Sequence, residues 1–375
     1  MSAGWAKHAE EWRDPRQVVS QWREADRVNP ALLACRARGR FWQAVGRARA
    51  TLIVTREYEH LVMALGVVRG RPHVTYLPLP HPSGVAVDRG RGVVHIASTR
   101  NPNQVFDFEA AGDRTLVPVR SRYYPGRLYL HDLAMIGGRL YGNAVGTNSV
   151  VRLDPAGGVR PVWWPRCVEF HGRPDAGRNH IQLNSIAAGK SLRESCFSAS
   201  ADEITPEKPG DPAYPVDGRG VVFSGATRRP LVRGLTRPHS ARWLGRRLWV
   251  DNSGYGEVGF VDDATFRSVL RLSGWTRGLA FAGGVGFVGT SRVIPKFRAY
   301  APGVAPASSE CGIHAFDPRT GRLVGALLWP AGNQVFAVAA CPAALSPGFP
   351  FPAPEAAARR FFYGFTTRTM EGRTR

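Results

Sequence analysis

Lysine is nearly absent from this chain. Of its 50 basic residues only Lys7, Lys190, Lys208 and Lys296 are lysine, which leaves 46 arginines against 29 acidic residues and a formal charge of +21. A basic excess of that size releases counterions from phosphate backbones and is common in nucleic-acid binders. The arginines, however, are scattered along the whole length. No Lys/Arg run, zinc-finger spacing or RNA-recognition signature accompanies them, so the bias reads as arginine-favouring codon usage and nucleic acid is not the expected partner. A field of this sign still steers small anions.

Cysteine is scarce too. Cys35, Cys167, Cys196, Cys311 and Cys341 form an odd set without a CxxC pair, which excludes a disulfide framework and a structural zinc knuckle. No run of about 18 apolar residues is present, and the opening MSAGWAKHAEEWRD lacks the apolar core of a signal peptide. The expectation is a reduced, cytoplasmic protein with no membrane attachment. A GxSxG elbow is missing, and the glycines do not sit in a strand, phosphate loop and helix arrangement. Serine-nucleophile hydrolysis and the use of ATP, GTP or nicotinamide are therefore not expected.

What the chain does have is enough apolar material for a core: 375 residues, 43% hydrophobic, with Gly 42 and Pro 29. Such a composition excludes global disorder. Residues 1–50 carry Trp12, Val18, Val19, Trp22, Leu32, Leu33, Phe41, Trp42 and Val45 at spacings that suit short amphipathic helices, with Asp14-Pro15 as a helix start. This segment predicts a helical N-terminal cap. From residue 51 the texture changes to short Val-, Leu-, Tyr- and Phe-rich stretches separated by Gly, Asp, Asn and Pro turns, the pattern of an all-β domain.

Six segments of that domain stack on one another. They are PSGVAV from Pro82, LHDLAM from Leu130, LNSIAA from Leu183, PHSARW from Pro238, TRGLAF from Thr276 and QVFAVA from Gln334. The second residue of each, Ser83, His131, Asn184, His239, Arg277 and Val335, recurs at intervals of 48, 53, 55, 38 and 58 residues. A period near 50 residues is that of a propeller blade, and six repeats predict a six-bladed β-propeller over residues 51–341. Strands expected at 51–57, 60–67 and 73–78 lack an inner strand, and the last repeat at 334–341 lacks partners. The two ends together complete one blade and close the ring. Residues 342–375 are expected to form a Pro-rich and basic tail.

In a propeller the inner strands all begin at one face of the central channel, and the loops after the second strands open on that same face. Five of the six recurring positions are polar although their neighbours are apolar. Polar side chains crowded at a channel mouth need a ligand, an ion or organised water. Two insertions, 199–217 and 292–310, reach the same face and are expected to cover it. His131 and His239 share one repeat position, and His180 lies four residues before Asn184. Three imidazoles converging at one mouth suit a divalent transition metal such as Zn, Fe, Cu, Ni or Mn, with Asp132 or Asp251 as acceptors behind the rings. Calcium is the lesser expectation, since the ring offers few carboxylates. Arg277 suits a substrate carboxylate or phosphate, and equally an ion pair with Asp132 or Asp251.

Several segments carry a family resemblance. LIVTREYEHLVMALG, LPHPSGVAVD, LHDLA, HIQLNSIA, RPHSARWLGRRLWVDNSGYGEV, WTRGLAF with VGTSRV, and CGIHAFDPRTG followed by NQVFAV are similar to an uncharacterised bacterial family of conserved hypothetical proteins with a domain of unknown function. The resemblance covers residues 50–341 and implies a propeller without bringing an activity. One departure is that Ile181 and Gln182 intervene between His180 and Leu183. RPHSARWLGRRLWVDNSGYGEV also resembles, remotely, a blade of the gluconolactonase and strictosidine-synthase superfamily.

The resulting expectation is a metal-dependent enzyme acting on a small polar or peptide-like substrate. His131, His180 and His239 would hold the metal, and Arg277, Asn184 and Asp251 would orient and process the substrate. Two alternatives stand beside it: a non-catalytic propeller platform for a protein or peptide, and a calcium-dependent lactonase or hydrolase.

Overall fold

The computed structural model describes residues 23–25, 28–99, 103–124, 126–207, 209, 211 and 213–353. Six antiparallel sheets follow one another around a ring. Blade 1 holds Pro82–Asp88, Val93–Ser98, Asn103–Ala110 and Leu116–Tyr124, and blade 2 holds Leu130–Ile136, Arg139–Ala144, Ser149–Leu153 and Val159–Trp163. Blade 3 is Leu183–Ala187, Cys196–Ala199, Gly220–Ser224 and Pro230–Leu235, and blade 4 is His239–Leu244, Arg247–Asn252, Glu257–Asp262 and Thr265–Arg271. Blade 5 comprises Trp275–Ala282, Val285–Ser291, Gly312–Phe316 and Leu323–Leu328.

Blade 6 is composite. Its inner strand, Ala337–Pro342, pairs with Ala50–Arg56, in register Ile53 with Ala339 and Val54 with Val338, and Leu61–Val68 and Arg71–Pro78 complete it. The two ends of the ring are thus joined by backbone hydrogen bonds, as the unpaired strands of the sequence require. Beyond this closure, Phe351–Pro352 adds to the outer edge of blade 6 through Tyr76 and Thr75.

Little of the expected helical cap lies within the described residues. Most of it, with Asp14, Trp12 and Trp22, falls outside them, as do residues 354–375 of the tail. The described part differs from expectation: Arg36–Gly39 is a fifth strand on blade 5, paired with Leu328–Gly325. Four charged or small residues with no apolar face have nothing to bury as a helix, but an edge strand satisfies their backbone. Residues 23–25 are helical and Pro30–Leu32 is a single 3-10 turn, so the longest helix there is Phe41–Ala48. It buries Phe41, Ala44, Val45 and Ala48, one stripe at helical spacing, against blades 5 and 6. It ends at Arg49 in the left-handed conformation.

The core is divided between blades. Trp163 stacks on Phe197 at 4.0 Å where blades 2 and 3 meet. Trp249, Phe281 and Phe316 fill the space between blades 4 and 5. Trp163 and Tyr124 are core, whereas Trp164 is partly covered under Arg228 and Tyr123 is exposed.

Every inner strand of blades 1 to 5 shifts register at its start, a bulge that turns one residue toward the axis. The residues at and just after each bulge tie neighbouring blades together. Ser83 donates to the Leu130 carbonyl at 2.7 Å, the Asp132 carboxylate accepts the Ile186 N–H at 2.9 Å, and the Ser185 hydroxyl accepts the Ala241 N–H at 2.7 Å. Ser240 accepts the Gly278 N–H at 2.7 Å, and Thr55 donates to the Ser83 carbonyl and accepts the Ala337 N–H. A polar belt therefore encircles the axis. Where it has no side chain the backbones touch: a Cβ on Gly84 would lie 2.5 Å from the Asp132 Cα, and one on Gly278 would lie 2.7 Å from the Val338 nitrogen.

Candidate functional site

Above the belt, on the face where the inner strands begin, lies a cavity of about 220 Å³. Its wall is built from three positions of the repeat. The bulge residues His131, Asn184, His239 and Arg277 form one ring. The residues two places earlier, Tyr129, Gln182, Arg237 and Trp275, form a second ring above it. Three of these, Tyr129, Gln182 and Arg237, have φ of +48°, and His81 holds the matching place in blade 1 at +41°. A left-handed residue at the entry of four blades swings its side chain toward the mouth, a backbone cost that native structures concentrate at functional sites.

The third group comes from loops. Glu57, Tyr58 and Thr99 follow second strands, and Pro209 and Tyr300 come from the two insertions, which do reach the mouth. In blade 6 the cavity is lined by Phe336 and not by Val335. Val335 is buried in the core, and a Cβ on Gly289 would strike its Cγ1 at 2.4 Å. Ser83 lies below, in the belt, and does not line the cavity.

Two guanidinium groups dominate the electrostatics. Arg277 is 5% exposed, and its Nε donates to His239 Nε2 at 3.1 Å. Its plane lies 3.6 Å from the Phe336 ring centre and 5.4 Å from that of Trp275. Arg237 is 5% exposed, donates to the Gln182 carbonyl oxygen at 2.7 Å and stacks 3.9 Å from the Tyr300 ring centre. Its Nη1 has no hydrogen-bond partner among the described residues. Burial lowers both guanidinium groups to about 10, so each remains charged at neutral pH. Among the described residues Glu57 is the single carboxylate of the wall, and it accepts from the Thr99 hydroxyl. The mouth is net positive.

Burial, with Arg277 and then His131 adding to it, pushes His239 well below its usual range, so this imidazole is neutral. With Nε2 accepting from Arg277, the ring proton sits on Nδ1, facing the Ser240 hydroxyl at 3.2 Å. The His131 and His239 ring centres are 6.3 Å apart, and both rings meet the edge or face of Phe336.

The other expected residues are placed differently. His180 is not brought to His131 and His239. Its Nε2 pairs with Asp175 at 2.9 Å, its backbone N–H donates to Asn148 at 2.8 Å, and it does not line the cavity. The two residues between His180 and Leu183 give the chain room for a separate loop. Asp132 neither orients a histidine nor meets Arg277; it holds Arg242 through both carboxylate oxygens, at 2.8 and 3.2 Å. Asp251 is fully buried and off the cavity wall. Burial pushes its carboxyl well above the usual range, the Ser240 hydroxyl and Arg242 offset this only in part, and neither oxygen completes a hydrogen bond of good geometry. Asn184 does face the cavity, with its amide nitrogen committed to Ser200 and the Pro238 carbonyl.

The donor set at the mouth does not fit a dication. Arg277 occupies the His239 lone pair that a metal would take, and the wall offers one carboxylate against two buried guanidinium groups. One trio among the described residues does have metal-ligand spacing: Glu24, His60 and His81, with ligand atoms within 4.8 Å of one another. There His60 Nδ1 accepts the His81 backbone N–H at 3.2 Å, which leaves the proton of a neutral ring on Nε2, the atom 3.7 Å from Glu24. That tautomer favours a histidine–carboxylate contact over coordination.

Comparison with known proteins agrees on the architecture. A nidogen/laminin complex contains a chain with TM-score 0.53 and 10% identity, over 78% of this chain and 98% of that one. A gluconolactonase from Xanthomonas campestris aligns at 16% identity and TM-score 0.44, over 76% and 86%. The calcium-binding protein regucalcin from Agrobacterium tumefaciens aligns at 10% and 0.45, over 65% and 73%. Of the three, only the first is similar enough to bear on the fold, and at 10% identity it bears on the fold alone. No curated protein matches in sequence. The sequence pattern of one family does match, across residues 39–349, and the chain accordingly belongs to the DUF4915 family, a domain of unknown function built here as a six-bladed propeller.

Proposed function

We propose that the propeller mouth binds a small molecule through an anionic group, a carboxylate or a phosphate, held between Arg237 and Arg277. The observation that carries this reading is the unpartnered Nη1 of Arg237, a buried guanidinium nitrogen in the wall of a cavity whose charge is positive. A buried cationic donor without a partner is costly, and an oxyanion supplies both the charge and the acceptor. The cavity of about 220 Å³ falls below the range of about 300–1,000 Å³ typical of sites for drug-sized ligands. It suits a metabolite-sized ligand better than a peptide segment. Tyr58, Tyr129, Trp275 and Phe336 supply flat apolar walls. The proton-carrying groups beside the ligand are His131 and neutral His239, and a reaction at this mouth would draw on them.

The histidine-bound metal of the sequence reading has less support, since His180 lies elsewhere and Arg277 opposes a cation. The test is calorimetric titration with malonate, inorganic phosphate and the neutral gluconolactone, at fixed ionic strength. An anion is expected to bind saturably, and Arg237→Gln to weaken it by about tenfold or more, the worth of one charge-assisted hydrogen bond. Tighter binding of the neutral lactone than of either anion, indifferent to Arg237→Gln, would remove the reading.

A further inference from the structure

Below the belt and away from the mouth, a groove of about 300 Å³ opens between blades 1 and 2. Four arginines line it: Arg91 and Arg122 from blade 1, Arg139 and Arg152 from blade 2. On its blade 1 side His95 and Arg122 line the groove, with Asp107 of the strand between them behind the wall. His95 Nδ1 and Arg122 Nη2 both lie 2.6 Å from the same oxygen of Asp107, and all three residues are buried. Burial alone would raise the Asp107 carboxyl, but the bonds and charges of His95 and Arg122 outweigh it and hold it below the usual range.

The charges do not cancel. Asp107 is shared within its trio. Asp154 is taken by Arg152, with contacts at 2.9 and 3.3 Å, and Arg160 lies 3.6 Å away. Arg91 meets Asp88 only at 3.9 Å, and Arg139 has no acidic partner among the described residues. The Nε of Arg122, buried in the groove wall, has no hydrogen-bond partner either. A guanidinium presents Nε and one Nη as a fork matched to two oxygens of a tetrahedral anion. On Arg122 half of that fork faces no acceptor among the described residues. The rest of the groove is apolar, with Met135, Leu140 and Leu153 in its wall, and it is larger than a bare oxyanion needs.

We infer that this groove is a second ligand site, which takes a phosphate or sulfate monoester with its oxyanion on Arg122 and Arg139 and its organic group against Met135 and Leu140. The site is independent of the one at the mouth. Its anchor is prearranged: Asp107 and His95 fix the Arg122 side chain, so little side-chain freedom is lost on binding.

The probe is phenyl phosphate, titrated against the full chain by calorimetry at about 0.15 M salt to screen diffuse attraction, with phenyl sulfate and inorganic phosphate as parallel arms. Saturable binding of phenyl phosphate or phenyl sulfate is expected, tighter than inorganic phosphate; whichever ester binds more tightly names the anion. Arg139→Gln, on an exposed hairpin where folding is not at stake, should weaken the ester by about tenfold. Arg122→Lys, which keeps the charge but loses the fork, should weaken it similarly. Arg267→Gln on blade 4 should leave it unchanged, and Arg237→Gln, which removes the phosphate site at the mouth, should leave the groove's component of the titration intact. Equal weakening by Arg267→Gln would reduce the effect to net charge. Loss in Arg237→Gln alone would move the ligand to the mouth. Either result, or no saturable binding of the esters to the Arg237→Gln protein, overturns the inference without touching the proposal for the mouth.

Discussion

Removing the carboxylate of Asp132 should cost this propeller more than any single methyl group in its core. Asp132 is 3% exposed, accepts the Ile186 N–H of the next blade, and holds Arg242 from a blade beyond that at 2.8 and 3.2 Å. Breaking a buried pair by removing one partner costs about 3–5 kcal/mol, because the other charge is left unpaired. The Arg242 side chain is 23% exposed and keeps the Ile186 and Ala241 carbonyls, so water and these acceptors offset part of the loss. The stranded Ile186 amide adds about 1 kcal/mol. Together these place Asp132→Ala at about 3 kcal/mol. Asp132→Asn keeps the volume and one acceptor, and should cost about 2 kcal/mol. The assay is urea unfolding followed by tryptophan fluorescence, run as a double-mutant cycle with Asp132→Asn and Arg242→Met. A coupling above about 1 kcal/mol is expected for a desolvated bidentate pair. A coupling below about 0.5 kcal/mol would show that the pair is a solvated surface contact and that the belt does not depend on it.

Two further outcomes follow from the belt and its surroundings. The folded-state value of Asp251 is raised, so its proton binds more tightly in the folded than in the unfolded chain. It therefore lends stability at acid pH that is lost as pH rises above the ordinary carboxyl range of about 4. Asp251→Asn should raise the melting temperature at pH 8 and change little at pH 4; a pH-independent difference would contradict the buried, protonated carboxyl. Gly278, at φ +84° and with the Val338 backbone where a Cβ would go, should tolerate alanine poorly. A loss of about 2–3 kcal/mol is expected from the strain and the displaced inner strands, measured by urea unfolding, and a neutral substitution would mean that blades 5 and 6 are not in contact at that level.

The ring was legible because each inner strand repeats a small polar-then-apolar signature, and because the strands at 50–78 and the one at 337–342 are complementary orphans. His131, His239, Asn184 and Arg277 share the mouth for the same reason: one repeat position, one place on the bulge. The second ring of the cavity was hidden. Tyr129, Gln182 and Arg237 do not look alike, and what unites them is a left-handed φ that leaves no mark in residue type when the residue is not glycine. His180 misled because distance along the chain was read as an approach to Asn184, whereas an inserted pair of residues lets the loop fold back on Asp175. Asp132 looked like a partner for histidine. Its place one residue past the bulge turns it from the cavity into the belt, where a backbone amide and Arg242 meet it.

The composite blade gives the chain a particular order of assembly. Ala50–Arg56 is made among the first strands, and its partner Ala337–Pro342 among the last. Until Ala337–Pro342 has been made, Leu52, Ile53 and Val54 present an apolar strand edge with nothing beside it, and such edges recruit strands from other molecules. Five blades can form locally as they emerge, while the sixth waits for Ala337–Pro342. Truncated products of this gene, which stop short of residue 337, are thereby committed to a sticky open arc, and the final inner strand acts as the clasp that turns an aggregation-prone crescent into a closed wheel.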